Sequence, residues 1–174
     1  WEISGSRIHK YNLGVAGSDG GLILDATNLR YDVYTGSFDN SICIWDVNTS
    51  KLLLKLDIPN NVTVLSVEFN YDDSKIVGAC TDNTVKIWNS STGELLKTLI
   101  GHTNWVNFAK FNNDASIIVS GSDDRKVIVW DFDTRSGSYG NPIFKFKHID
   151  KISSIDFSHD SKKIISASSY IDPY

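Results

Sequence analysis

The sequence is short of most features that announce chemistry. Only two cysteines occur, Cys43 and Cys80, without metal-ligand spacing or a disulfide framework, as fits a reducing compartment. No apolar run approaches the roughly 18 residues that cross a bilayer, so no membrane association is expected. The net charge of −4 provides no basic footprint, and no nucleic-acid partner is expected either. His9, His102, His148 and His159 are scattered without the spacing of a metal site, so neither metal nor cofactor is expected. Gly17-Ser-Asp-Gly-Gly21 is glycine-rich but lacks the Lys-Ser/Thr ending of a phosphate loop and reads as a turn. The carboxylates fall mainly in turns, and no small-molecule substrate is expected. No segment has the apolar spacing of a long helix.

What remains is ordinary globular composition with a strong internal repeat. Hydrophobic residues make up 41% of the 174 and charged residues 22%, enough for a sizeable core. The chain opens on Trp1 rather than Met, which points to a native N-terminus further upstream. Asn-x-Ser/Thr triplets at Asn48, Asn61 and Asn89 read as chance in a chain rich in those residues. Four of the five tryptophans, Trp1, Trp45, Trp88 and Trp130, recur at spacings of 44, 43 and 42 residues. The segments Gly36–Asp46, Ala79–Asn89 and Gly121–Asp131 align without gaps. Self-similarity at this period marks a repeat architecture.

Each unit reads as four short strands. The first ends in an aromatic (residues 65–69, 107–111 and 153–157), and the second follows a polar turn (76–80, 117–122 and 164–168). An Asp-containing turn leads into a β-branched third strand ending on Trp. The fourth alternates charged and apolar residues, as in Phe144-Lys-Phe-Lys147. Lysines there suit an outermost strand, where charge discourages further pairing. Third strands such as Val127-Ile-Val-Trp130 carry bulk on both faces, so each small sheet needs a neighbour on either side. The fold class is all-β.

Gly101-His102 followed by Trp130-Asp131 resembles the WD-repeat signature, and the resemblance covers nearly the whole chain. It implies four-stranded antiparallel blades of a β-propeller, part of a longer ring of about seven blades. In that phase residues 1–16 end a preceding blade, with an outer strand over about 6–13. Residues 17–58, 59–100 and 101–147 form blades, and 148–174 supply the first half of another. The blade from His102 also resembles those of centriolar and ciliary WD proteins. The family implies a non-catalytic scaffold for other proteins inside the cell, in the cytoplasm, nucleus, cytoskeleton or cilium. An alternative is a reader of a short peptide or modified tail at the channel mouth.

His102, Ser120 and Asp124 are the residue types of a nucleophilic triad. The family resemblance instead places them with Trp130 in a structural hydrogen-bond chain. In the preceding blade Asn60 and Gly78 stand at the His and Ser positions, and in the one before, Gly17 replaces the His beside Thr35 and Asp39. The partial blade keeps His148 and Ser166, with Tyr170 at the Asp position and Asp172 two residues on. These departures predict looser blades. The resemblance also implies solvent-facing positions for a partner: Trp105, Asn107 and Asp123; Thr63, Leu65 and Thr81; Leu22 and Phe38; Lys151, Ser153 and Ser169. The connection from Asp131 to Asn141 is four residues longer than its predecessor, counted from Trp to the next His. It reads as a solvated loop and a second candidate for binding.

Overall fold

The computed structural model describes residues 32–36 (backbone only), 40–46 and 48–168. The strands expected near Trp1 and over residues 6–13 lie outside the described residues. Among those described there are thirteen strands and no helix. The strands β1 (Asp32–Gly36), β2 (Ser41–Asp46) and β3 (Lys51–Asp57) pair in chain order. A second sheet holds β4 (Val64–Phe69), β5 (Lys75–Cys80), β6 (Thr84–Asn89) and β7 (Leu95–Ile100). A third holds β8 (Val106–Phe111), β9 (Ile117–Ser122), β10 (Lys126–Asp131) and β11 (Pro142–Lys147). β12 (Ile152–Phe157) pairs with β13 (Ile164–Ser168), and all pairings are antiparallel.

Turn chemistry explains why the chain reverses where it does. After β4, Asn70 Oδ1 accepts from the Lys75 amide at 2.8 Å and Asp72 Oδ1 from the Ser74 amide at 3.0 Å. Asn112 and Asp114 repeat this after β8, with Ile117 and Ser116 as donors at 2.9 and 3.0 Å. Ser158 and Asp160 do so after β12, toward Lys163 and Lys162. Side chains that satisfy turn amides fix a reversal more firmly than polarity alone.

Two register shifts recur in every complete sheet. The third and fourth strands slip by one residue just before each tryptophan: Ile44/Trp45, Ile87/Trp88 and Val129/Trp130. First strands slip between Val64 and Ser66, Val106 and Phe108, and Ile152 and Ser154. That leaves Leu65, Asn107 and Ser153 as the extra residue of a bulge, the device that re-aims a side chain at a strand end.

The core lies between sheets. Val77, Val85, Ile87 and Leu99 of the second sheet pack with Ala109, Ile118, Ile128 and Trp130 of the third. Ile42, Ile44 and Leu56 of the first pack with Val64, Val67, Ile76 and Trp88 of the second. Val119, Val127 and Val129 meet Ile152 and Ile155 in the same way. Across the inner strands, Lys110 Nζ lies 3.6 Å from Glu68 Oε1 and 3.1 Å from Asp156 Oδ1, an ion-pair series through three sheets.

The second sheet is not slack where the expected serine is missing. A Cβ on Gly78 would lie 2.7 Å from Trp88 Cζ3, so the indole closes directly over the glycine. Tight packing there replaces a hydrogen bond. Gly78→Ala should therefore lower stability by about 1–3 kcal/mol, and Gly78→Ser should do no better despite restoring the hydroxyl. Chemical denaturation measures this; an unchanged midpoint for both would show that the ring is not held there.

Candidate functional site

His102 enters from the connection between β7 and β8, Ser120 from β9, Asp124 from the β9–β10 turn and Trp130 from the end of β10. The Trp130 Nε1–H donates to Ser120 Oγ at 2.8 Å. Ser120 Oγ lies 2.8 Å from His102 Nε2, and His102 Nδ1 lies 3.0 Å from Asp124 Oδ2. Asp124 also accepts from the amides of Thr103 and Lys126, at 3.0 and 2.9 Å. Gly101 gives Trp130 its place, since a Cβ there would lie 2.8 Å from the ring.

Burial decides the protonation states. It holds the His102 pKa below its ordinary 6.5, outweighing the pull of Asp124 in the other direction. A neutral ring carrying its proton on Nδ1 donates to Asp124 and accepts the Ser120 hydroxyl at Nε2, so every group is paired. For Asp124, burial is the largest single influence and acts upward. Hydrogen bonds from Thr103, His102 and Lys126 outweigh it, and the carboxyl ends below 3.8. The Ser-His-Asp order mimics a catalytic triad, yet Ser120 is 0% exposed and its oxygen already receives the indole N–H. No substrate reaches it.

Trp105 stands differently. Its backbone is clamped: the Asp123 amide donates to its carbonyl at 2.9 Å, and its own amide donates to Asn104 Oδ1 at 2.9 Å. Its side chain is 52% exposed and belongs to none of the core clusters. Asn107 and Asp123 are half-buried and engaged. Asn107 Nδ2 donates to Asp123 Oδ1 at 2.7 Å and to the Ile152 carbonyl at 3.2 Å. Lys151 Nζ, exposed, donates to Asp123 Oδ2 at 2.9 Å. Trp105, Asn107, Asp123 and Lys151 thus converge across the junction of the third sheet with β12, and exposed Ser153 follows on the bulge. Thr63, Leu65 and Thr81 are half-buried on the second sheet, where the Thr63 amide donates to Thr81 Oγ1 at 3.0 Å. Leu22, Phe38 and Ser169 lie outside the described residues. Sequence reasoning does not single out Arg125, exposed in the turn beside Asp124 with a left-handed φ of 67°. The gapless alignment carries the signal, since Asn40 and Asn83 occupy that position elsewhere.

The family model for the WD domain, G-beta repeat, matches residues 51–89, 93–131 and 140–170. The chain belongs to the WD-repeat family. The sheets are its blades, and the first two matches each run from the outer strand of one blade through the third strand of the next. The chain is 39% identical over 101 residues to WD repeat and SOCS box-containing protein 1 of Xenopus tropicalis, covering 57% of this chain and 24% of that protein. It is 30% identical over 132 residues to the U5 small nuclear ribonucleoprotein 40 kDa protein of Dictyostelium discoideum, covering 75% and 36%. Apoptotic protease-activating factor 1 of Danio rerio is 32% identical over 94 residues, covering 54% and 8%. These matches therefore span at most about a third of the relatives' own lengths.

The other WD blades show what replaces a missing network. With Asn60 in the histidine's place, Asp82 turns outward to Lys86 Nζ at 2.5 Å and to the Thr84 hydroxyl at 2.6 Å. In the partial blade His148 Nε2 keeps Ser166 Oγ at 2.8 Å while Nδ1 lies 3.3 Å from Ser168 Oγ. Tyr170 and Asp172 are outside the described residues, as are Gly17 and Asp39; Thr35 lies on β1, described in its backbone alone.

The long connection of the third blade is not the solvated loop expected from its sequence. Pro142 takes the place opposite Trp130 that Leu95 takes opposite Trp88, so five extra residues precede the outer strand and one fewer follows it. Asp131 accepts from the hydroxyls of Ser136 and Ser138, which folds the loop inward. Phe132 is buried between Phe111 and Tyr139, and Lys97 Nζ sits 4.8 Å from the Tyr139 ring centroid. At the far end of the inner strands from Trp105, a cleft of about 380 Å³ opens between Tyr71, Asp72, Asn113, Asp114, Phe132 and Arg135. Among the described residues no three His, Cys, Asp or Glu side chains are grouped to hold a metal. Burial pushes the Cys80 thiol up to about 12, which leaves it inert.

The network has a pH signature. His102 and Asp124 both bind protons more weakly folded than unfolded, so their contribution is complete above the unfolded histidine value near ~6.5. It falls as the unfolded histidine, and at lower pH the carboxyl, takes up a proton. Stability should drop on acidification from about pH 7 to about 5. His102→Asn should flatten that slope, while Asp124→Ala should cost about 1–3 kcal/mol at neutral pH by stranding buried donors. Urea midpoints across pH test both expectations; parallel curves for the parent and His102→Asn would contradict them.

Proposed function

We propose that this protein is a non-catalytic interaction scaffold within a multiprotein assembly, and that one partner protein seats on the rim around Trp105. The observation that carries the reading is the large indole itself. It is half-exposed on a clamped backbone, and the buried network does not use it. A rigid aromatic offers contact area at little entropic cost, which is why tryptophans anchor interfaces. The sealed Ser120 supports a non-catalytic role. A relative named for a small nuclear ribonucleoprotein supports an intracellular setting, without fixing the compartment.

The alternative, a reader of a short peptide or modified tail at the channel mouth, calls for several converging aromatics. No second aromatic stands beside Trp105 in the connections 101–107, 122–125 and 148–151. The scaffold reading therefore leads.

Affinity capture of the intact protein, followed by mass spectrometry, identifies the partner. Trp105→Ala should then weaken that partner by about 2 kcal/mol or more. It should cost much less stability than Trp130→Ala, which removes a buried ring at about 3–5 kcal/mol. Equal destabilisation by the two, with binding intact, would make Trp105 a packing residue.

A further inference from the structure

We infer that the rim around Trp105 receives an acidic segment of a partner protein that also carries an apolar side chain. This rests on the reading that the rim binds protein, and it specifies the chemistry of what is bound.

Two locally unfavourable choices place positive charge at this point. The turn position that follows Asp39, Asp82 and Asp124 in the sequence is left-handed in all three described blades: Asn40 at φ 62°, Asn83 at 69° and Arg125 at 67°. Asparagine tolerates that conformation, whereas a long side chain gains nothing from it. Arginine there costs local stability and delivers a guanidinium to the rim. Next to it, Lys126 lies directly across from Lys147 in the β10–β11 ladder. Like charges directly opposite destabilise a sheet. The equivalent pairs are Ser41 with Asp57 and Thr84 with Ile100, so the repeat does not demand it. Lys126 Nζ comes only within 3.7 Å of Asp124, whose oxygens already serve His102 and two amides. Strain and repulsion of this kind concentrate where function requires them.

The surrounding carboxylates offset the patch only in part: Asp124 pairs with Lys126 and Asp123 with Lys151, which leaves Arg125, Lys145 and Lys147 against Asp150. Asp124 is buried, and Asp123 is held between Asn107 and Lys151. Asp150 accepts the Lys151 amide at 2.7 Å. Lys145, two residues before Lys147, is near enough to depress His102. Basic charge therefore gathers on the rim of a chain whose net charge is −4. Beside it stand two exposed apolar groups, Trp105 and Ile149, the latter 87% exposed. Ile149 is tied to the patch because the His148 amide donates to the Arg125 carbonyl at 2.8 Å. Complementary charge steers a partner and fixes its register, while the apolar groups supply contact area.

The test selects random displayed peptides of about twelve residues on the intact protein and measures the winners by fluorescence anisotropy. Winners rich in Asp and Glu around an apolar residue are expected. Their affinity should fall about fivefold or more as salt rises from about 0.05 to about 0.3 M. Arg125→Asn should weaken them about threefold or more, and Arg125→Glu with Lys147→Glu about tenfold or more. Arg125→Asn should meanwhile leave the melting temperature unchanged or raised, which separates lost binding from lost folding. Neutral or basic winners that still lose binding in Trp105→Ala would overturn the acidic chemistry and leave the rim as the site. Acidic winners indifferent to both Trp105→Ala and Arg125→Asn would overturn both readings. Failure to select any peptide, or tighter binding of a single-stranded oligonucleotide than of every peptide, would also overturn the proposal.

Discussion

Each sheet in this protein depends on being covered by the next. A four-stranded sheet with bulk on both faces of its third strand cannot be stable in isolation, because burying one face leaves the other in water. The three core clusters show the solution, since every one of them draws side chains from two successive blades. The outer strands make the dependence visible. On the outer strand of the second blade, Leu99, opposite Val85, is 1% exposed under the following blade. Covering such a side chain is worth about 1.5–3 kcal/mol. Gly140 shows how closely the cover fits: at φ 83°, a Cβ there would lie 2.5 Å from Lys97 Cε.

The hydrogen-bond chain from Trp130 to Asp124 is subordinate to that packing. It joins the inside of one blade to its own turn, and the neighbouring blade stands without it. There, Gly78 lets the Trp88 ring settle onto the backbone, and Lys86 takes over the turn carboxylate at the surface. Two solutions to the same problem sit side by side, one polar and sealed, the other apolar and tight. The sealed version sets the backbone on which Trp105 is presented, because Asp124 binds the Thr103 amide and the adjacent Asp123 amide binds the Trp105 carbonyl.

Much of the architecture was legible because it is written in periods. Alternation of period two marked the strands, and the tryptophan spacing set their order. The starts of the described first and second strands differ from the sequence reading by at most one residue, as with Val64 and Val106. The bulges at Leu65, Asn107 and Ser153 were not legible, since a one-residue slip leaves no compositional trace. Nor was the packing role of the long loop. Phe132 is buried against Phe111 of its own blade and against Tyr139, whose half-buried ring lies over Lys97 of the preceding blade, a contact between segments far apart in the chain. At the site, the residue types of His102, Ser120 and Asp124 alone read as a triad, and it was the family resemblance that pointed to a structural network with Trp130. Neither pointed to the use of Asn107 and Asp123 as a bridge to Lys151 and Ile152.

The buried side chains of the described residues serve the packing between blades, and the proposed partner site is the exposed rim of the third blade around Trp105. The most direct test is to place a photo-crosslinking amino acid at Thr103, exposed beside Trp105, or at Tyr71, exposed at the opposite end of the inner strands. Partner adducts in cells should form from position 103 and not from 71. Adducts from position 71 alone would put the partner on the other face and contradict the account.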